Sequence, residues 1–202
     1  VLGATLAATL APSHQRRLAA AVGMVGGMLP DADTLIQSPD DVLLVLDYHR
    51  HFTHALAFAP IGALIAALLL WPLLRKTLSF PRIYLYSLAG YSVAGLLDAC
   101  TSYGTHLWLP FSERKEAWNL IAVFDPLFTL LLLVPLALAL RRPQRHWAPV
   151  GLTLAAAYLG LGMLQHQRAE TALRDVVAAR DHPAPNAVIK PTMANQVLWR
   201  TL

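Results

Sequence analysis

Residues 52–74 read FTHALAFAPIGALIAALLLWPLL, a run without one Asp, Glu, Lys or Arg. A helix crosses the ~30 Å hydrocarbon core with about 20 mostly apolar residues, so Phe52–Leu74 is expected to span a bilayer, closed by Arg75-Lys76. Three further stretches follow the same pattern: Ile83–Cys100, Leu120–Leu140 and Trp147–Leu164. They end at Thr101-Ser102-Tyr103-Gly104, at Arg141-Arg142-Pro143 and at the polar run after Gln165. Pro60, Pro72, Pro126 and Pro135 fall inside or beside these spans, where neighbouring helices satisfy the carbonyls that proline frees. Composition agrees, with 56% hydrophobic and only 14% charged residues and a mean hydropathy of +0.47. A soluble domain with a charged shell and a disordered chain are both excluded. So is a disulfide framework, because Cys100 is the sole cysteine.

Upstream, Val1–Ala11 and Leu18–Leu29 are too short to span comfortably and are separated by Pro12-Ser13-His14-Gln15-Arg16-Arg17. They read as a helical hairpin packed on the bundle, with Gly23-x-x-x-Gly27 allowing close backbone approach. No charged region precedes Val1, which argues against a signal peptide and places the start of the first helix upstream of it. Downstream, Ala169, Leu173, Val176 and Val177 make one stripe of a helix whose other faces carry Arg168, Glu170, Arg174 and Asp175. His182-Pro183-Ala184-Pro185 breaks it. The expected fold is therefore all-α: a polytopic membrane helical bundle over residues 1–165, with four spans plus a short N-terminal helical hairpin. Residues 166–202 form an amphipathic helix and a Pro-containing tail.

If all six segments cross, one side receives Arg16, Arg17, Arg75, Lys76, Arg82, Arg141, Arg142 and Arg145 with no acid among them. The other receives loop 30–51, with Asp31, Asp33, Asp40, Asp41 and Asp47 against Arg50, and loop 101–119, where acids and bases balance. Short basic loops mark the cytoplasmic side, so both termini and the acidic loop face outward. The basic residues are thereby topology signals, which removes nucleic acid as a partner despite a pI near 9.5.

Ionisable residues concentrate where a membrane protein should avoid them. They lie in Leu29-Pro30-Asp31-Ala32-Asp33-Thr34, in Tyr48-His49-Arg50-His51-Phe52-Thr53-His54, in Leu97-Asp98-Ala99-Cys100 running on to His106, and in Phe124-Asp125-Pro126. Taken singly, the first reads equally as a solvated turn and the histidines as interfacial side chains. Asp98 is harder to dismiss, since a carboxylate near a helix centre costs about 2.5–3.5 kcal/mol on insertion scales. The alternation of loops carries all four segments to the outward face. Four Asp and at least two His then share one membrane depth, where carboxylates repel unless a cation neutralises them. Imidazole with carboxylate suits zinc, and also manganese or iron. Five or six ligands would fill one metal generously or two sparingly, and two metals would favour phosphoester chemistry. Cys100 and Gly90-Tyr91-Ser92-Val93-Ala94 are rejected as nucleophile sites, the latter because no strand precedes it.

Gly27-Met28-Leu29-Pro30-Asp31-Ala32-Asp33, His49-Arg50-His51-Phe52-Thr53-His54 and Leu97-Asp98-Ala99-Cys100-Thr101-Ser102-Tyr103-Gly104-Thr105 resemble, in that order, the motifs of the YdjM-like membrane-bound metal-dependent hydrolases. The likeness extends over nearly the whole chain. His51 stands where that family usually has Gly, and His106 where Gln is common, which implies extra ligands or bases. The resemblance implies a hydrolase whose divalent metal is held by Asp31, Asp33, His49, His54 and Asp98, zinc first and manganese or iron as alternatives, one or two ions per chain. Asp125 or His106 then serves as proton carrier, and Arg50 and Tyr103 contact the substrate. The expected substrate is a small-molecule or lipid-like ester or phosphoester reaching the site sideways from the leaflet. The expected location is a bacterial-type inner (cytoplasmic) membrane, multi-pass among membrane lipids, with the site facing the extracytoplasmic side. A divalent-cation or proton transporter and a non-catalytic metal-stabilised scaffold are the competing readings. A transporter would place its acids near the midplane rather than at one end.

Overall fold

A computed structural model describes residues 1–41, 43–142, 146–180 and 187–202, with the backbone alone at residue 46. The Arg145 charge and the His182–Pro185 break lie outside the described residues. The helices are α1 (Leu2–Leu10), α2 (Arg16–Met28), α3 (Leu44–Tyr48), α4 (Ala59–Leu74), α5 (Phe80–Ala99), α6 (Pro126–Arg141) and α7 (Trp147–Arg180). Pro60, Pro81 and Pro126 each lie in the first turn of their helix, where a missing N–H costs nothing.

The N-terminal hairpin is present as expected, and α2 lies between α1 and α5. α4 packs on α5, α6 on α7, and α1 touches both α6 and α7. Small residues set this geometry. A Cβ on Gly90 of α5 would run into the carbonyl oxygen of Gly23, and one on Gly23 would meet Ala7 and Gly3 of α1. Three backbones thus approach to contact, as helices do in lipid, where packing replaces the hydrophobic drive. Around this seam Ala7, Ala19, Val22, Ala67, Ile83 and Tyr86 form the largest buried cluster. Arg16 and Arg17 reach the far end of α6, donating to the carbonyls of Ala139 (3.2 Å) and Leu140 (3.1 Å). They satisfy acceptors that a helix C-terminus leaves open.

The spans differ from expectation. Two helical segments, Leu56–Leu74 and Trp147–Arg180, are long and apolar enough to cross a membrane among the described residues, not four. Helix α6 has 16 residues, or ~24 Å at about 1.5 Å per residue, because Leu120–Asp125 is not helical and packs beneath α5 instead. Helix α5 has the length, but Arg82, Asp98 and its Tyr, Ser and Gly residues dilute its apolarity. The stretch Phe52–Phe58 is two short 3₁₀ turns ahead of α4. No break occurs at 165. Gln165-His166-Gln167-Arg168 carries no Gly or Pro, and α7 runs through it as one 34-residue helix. The chain is also not purely helical. An antiparallel pair, β1 (Ile189–Pro191) and β2 (Trp199–Thr201), lies against α7, in register Ile189 to Thr201.

The α1–α2–α5 seam leaves no room for a side chain at its centre. Gly90→Val should lower stability in detergent by about 1–3 kcal/mol or prevent folding, as overpacking does. Gly160→Ala, at a helical position open to space, should leave the thermal midpoint unchanged or raise it slightly.

Candidate metal centre

Helix α2 ends at Met28 and tightens into a 3₁₀ turn over Leu29–Leu35. That turn buries Asp33 (2% exposed) while Asp31 stays at the surface. After α3, the chain passes through His49 and through Arg50 at φ +61°, then enters the 3₁₀ turn Phe52–His54. A non-glycine residue in the left-handed region is costly, by about 1–3 kcal/mol, and here both peptide groups of Arg50 are held. Its N–H donates to Asp33 Oδ2 (2.9 Å), and its carbonyl accepts from His106 N (3.1 Å).

Asp33 organises the turn. Thr53 Oγ1 donates to Oδ2 at 2.7 Å, His49 Nδ1 lies 2.9 Å from Oδ1, and His54 Nδ1 lies 3.3 Å from Oδ2. Burial alone would raise the carboxyl's pKa. The hydrogen bonds from His49, Thr53 and the Arg50 amide, with the charge of His54, outweigh burial and hold it below the ordinary value. Tyr91 of α5 donates to the Thr53 carbonyl (2.8 Å), tying the turn to the bundle.

His54 is 3% exposed and presents its other nitrogen to two carboxylates. Nε2 lies 3.4 Å from Asp31 Oδ1 and 3.2 Å from Asp98 Oδ2, the latter at the end of α5. One ligand atom from each of Asp31, His54 and Asp98 falls within 4.8 Å of the others. The donor set fits a divalent metal: one imidazole, two carboxylates, and a buried carboxylate behind the ring's second nitrogen to orient it. Asp33 and His49 do not join this group; Asp33 holds both rings from behind. Burial would lower the His54 pKa, but hydrogen bonds to Asp31 and Asp98 and the surrounding negative charge push it up to about 9.

Asp31 and Asp98 open onto a cavity of about 310 Å³ that Arg50, Thr101 and Asp125 also line. Arg50 Nε lies 3.3 Å from Asp98 Oδ2, Nη1 donates to Thr101 Oγ1 (3.4 Å), and the guanidinium sits 5.2 Å from the Tyr103 ring centre. Asp125 shares the cavity, yet both of its oxygens are engaged. Oδ1 caps α6 through Phe128 N (2.9 Å), and Oδ2 accepts from Tyr158 OH (2.8 Å). His106 lies elsewhere, its ring 4.8 Å from that of His51 and outside the cavity lining. Thr53, Tyr91 and Thr101 were not singled out from sequence. Thr53 and Thr101 sit inside the quoted motifs, whereas nothing local marks Tyr91.

A membrane-type helical bundle in which a turn, a loop and a helix end gather an imidazole and two carboxylates is a candidate metal-binding membrane protein. The chain belongs to the YdjM inner membrane protein family, which matches residues 1–169. It is also similar to the uncharacterized protein YfhP of Bacillus subtilis (strain 168), with 28% identity over 103 residues. That match takes in 51% of this chain and 31% of the relative, so the chain spans about a third of the relative's length. No solved structure matches it.

The His54 environment sets a pH dependence. A protonated His54 between carboxylates stabilises the metal-free fold fully below pH 6.5, and this is lost as pH rises through about 9. Asp33 acts oppositely, its contribution being present above its ordinary value of 3.8 and lost as pH falls below it. With chelator present, the thermal midpoint should fall between pH 6.5 and 9, and His54→Gln should remove that fall. Metal must displace the proton, so apparent zinc affinity should rise about tenfold per pH unit across the same interval. Calorimetry at several pH values checks both.

Proposed function

We propose that the protein is a membrane-embedded metal-dependent hydrolase acting on an ester or phosphoester of a lipid-like substrate. The observation behind this reading is the grouping of Asp31, His54 and Asp98, whose two carboxylates open onto a cavity that Arg50 also lines. A bound divalent ion, zinc before manganese or iron, supplies an acidified water at neutral pH. Asp31, His54 and Asp98 would hold it, and three ligands with an open cavity beside them suit one ion.

The remaining side chains divide the work. Asp33 and Thr53 fix the His54 ring, so its Nε2 stays aimed between Asp31 and Asp98. Arg50 supplies a fixed positive fork for an anionic oxygen, its plane set by Thr101 and Tyr103. Asp125 is the carboxylate in the cavity outside the ligand group, and we assign it the water's proton, with Tyr158 OH holding its Oδ2 in position. His106, outside the lining, is given no part.

The substrate enters from the side. Val123 and Phe124 are exposed beside Asp125, and Leu127 follows on α6, giving an apolar approach to a polar cavity. Sidedness follows from charge, since Arg75, Lys76, Arg82, Arg141 and Arg142 occupy the opposite helix ends from Asp98 and Asp125. We therefore orient the chain as a multi-pass protein with its site facing the extracytoplasmic side.

Asp98→Asn tests the reading, because it keeps the shape and removes the ligand charge. Hydrolysis of a chromogenic phosphoester or of phospholipid vesicles should fall at least about 100-fold, and bound metal should fall with it, while the helical circular-dichroism spectrum is kept. Undiminished hydrolysis in the variant would overturn the proposal. So would metal uptake into proteoliposomes by a wild-type protein that hydrolyses neither substrate.

A further inference from the structure

Next to the metal cavity lies a second cavity of about 440 Å³ lined by His49, Arg50, Tyr103, Gly104, Lys115 and Val123. It shares Arg50 and Val123 with the metal cavity. The two differ sharply in charge. The first is lined by Asp31, Asp98 and Asp125, and the second by Arg50 and Lys115 with no carboxylate.

The loop that carries Lys115 is built to place it there. Thr105 and Glu116 exchange backbone hydrogen bonds at 3.0 and 2.9 Å, which holds the loop against the turn, and the Lys115 stem lies over Gly104. Gly104 has φ +85°, a left-handed conformation that favours glycine, and the Lys115 stem lies in van der Waals range of it. Two of the neighbouring acids, Glu116 and Asp33, are occupied. Glu116 accepts from the indole N–H groups of Trp108 and Trp118, each at 3.2 Å, and pairs with Arg114. Asp33 is turned inward onto His49, Thr53 and Arg50 N. Glu113 lies beside His106. Arg50 already faces Asp98, so Lys115 is the added charge that makes this cavity attract anions.

We infer that this cavity is a subsite for a second phosphate-type group, and that the substrate class is an organic diphosphate. Resting on the hydrolase reading, the inference deepens it. One anionic group meets the metal cavity, and the next, one bridging atom away, crosses Arg50 and is held by Lys115. A guanidinium lining both cavities contacts both groups, which a single phosphoester would not require.

The test uses the metal-loaded full chain in detergent and probes that cannot be hydrolysed. Methylenediphosphonate and methylphosphonate are titrated by calorimetry into wild type, Lys115→Met and Lys115→Arg, with bound metal measured before and after. Wild type should prefer the diphosphonate, Lys115→Met should lose about tenfold of that preference, and Lys115→Arg should keep most of it. Lys115 is exposed, so the variants should share one thermal midpoint. An unchanged preference in Lys115→Met, or none in wild type, overturns the subsite. The two readings fail separately. Phosphomonoester hydrolysis without diphosphonate preference sinks the subsite alone. A Lys115-dependent preference with no turnover of any diphosphate leaves the subsite standing and sinks the hydrolase.

Discussion

The buried carboxylate of Asp33 is the interaction on which the rest of the site depends. An ionised carboxylate removed from water costs several kcal/mol unless donors replace its hydration. Four groups do so here: the Thr53 hydroxyl, the Arg50 amide and the rings of His49 and His54. All four come from residues 49–54, so satisfying one side chain folds an entire loop. That requirement holds Arg50 in the left-handed region and stands the His54 ring between Asp33 on one edge and Asp31 and Asp98 on the other. The ligand group is therefore preorganised by a residue that does not belong to it.

Much of this was legible as a gathering and little of it as roles. Loop alternation was enough to bring Asp31, His54 and Asp98 to one end, because it depends only on counting segments. It could not separate Asp31 from Asp33, two residues apart in one turn. Their roles diverge through burial, which the 3₁₀ geometry of Leu29–Leu35 decides and no periodicity encodes. His49 and His54 diverge for a similar reason. His106 looked like a catalytic candidate because it is an ionisable residue near a motif, yet its position is set by pairing across to Arg50 and by its contact with His51.

The helical layout was legible by the same logic and erred where non-local contacts intervene. Leu120–Asp125 is apolar enough to read as helix, but Leu120 N and Ile121 N donate to Cys100 O, and Gln196 Nε2 donates to Leu120 O (2.8 Å). A tail 76 residues downstream thus helps hold the non-helical segment that delivers Asp125. The charges misled in a milder way. Arg16 and Arg17 fit a cytoplasmic loop, and they also cap α6, so two of the topology signals are bundle contacts as well.

Charge balance explains why these features belong together. Without metal, the carboxylates of Asp31, Asp33 and Asp98 face a protonated His54 and Arg50, and Asp125 lines the same cavity, so negative charge is in excess in a membrane-end pocket. Exchanging the His54 proton for a divalent ion adds one net positive charge and brings the group closer to neutrality. Neutral is the state that a low-dielectric site tolerates best, so the same residues that resist burial as an empty cluster are stabilised once a metal binds. A cluster so rich in carboxylates offers an approaching dianion little long-range attraction. The field that draws it must come from outside the cluster, and Lys115, placed on a separate loop just past Arg50, is where that charge stands.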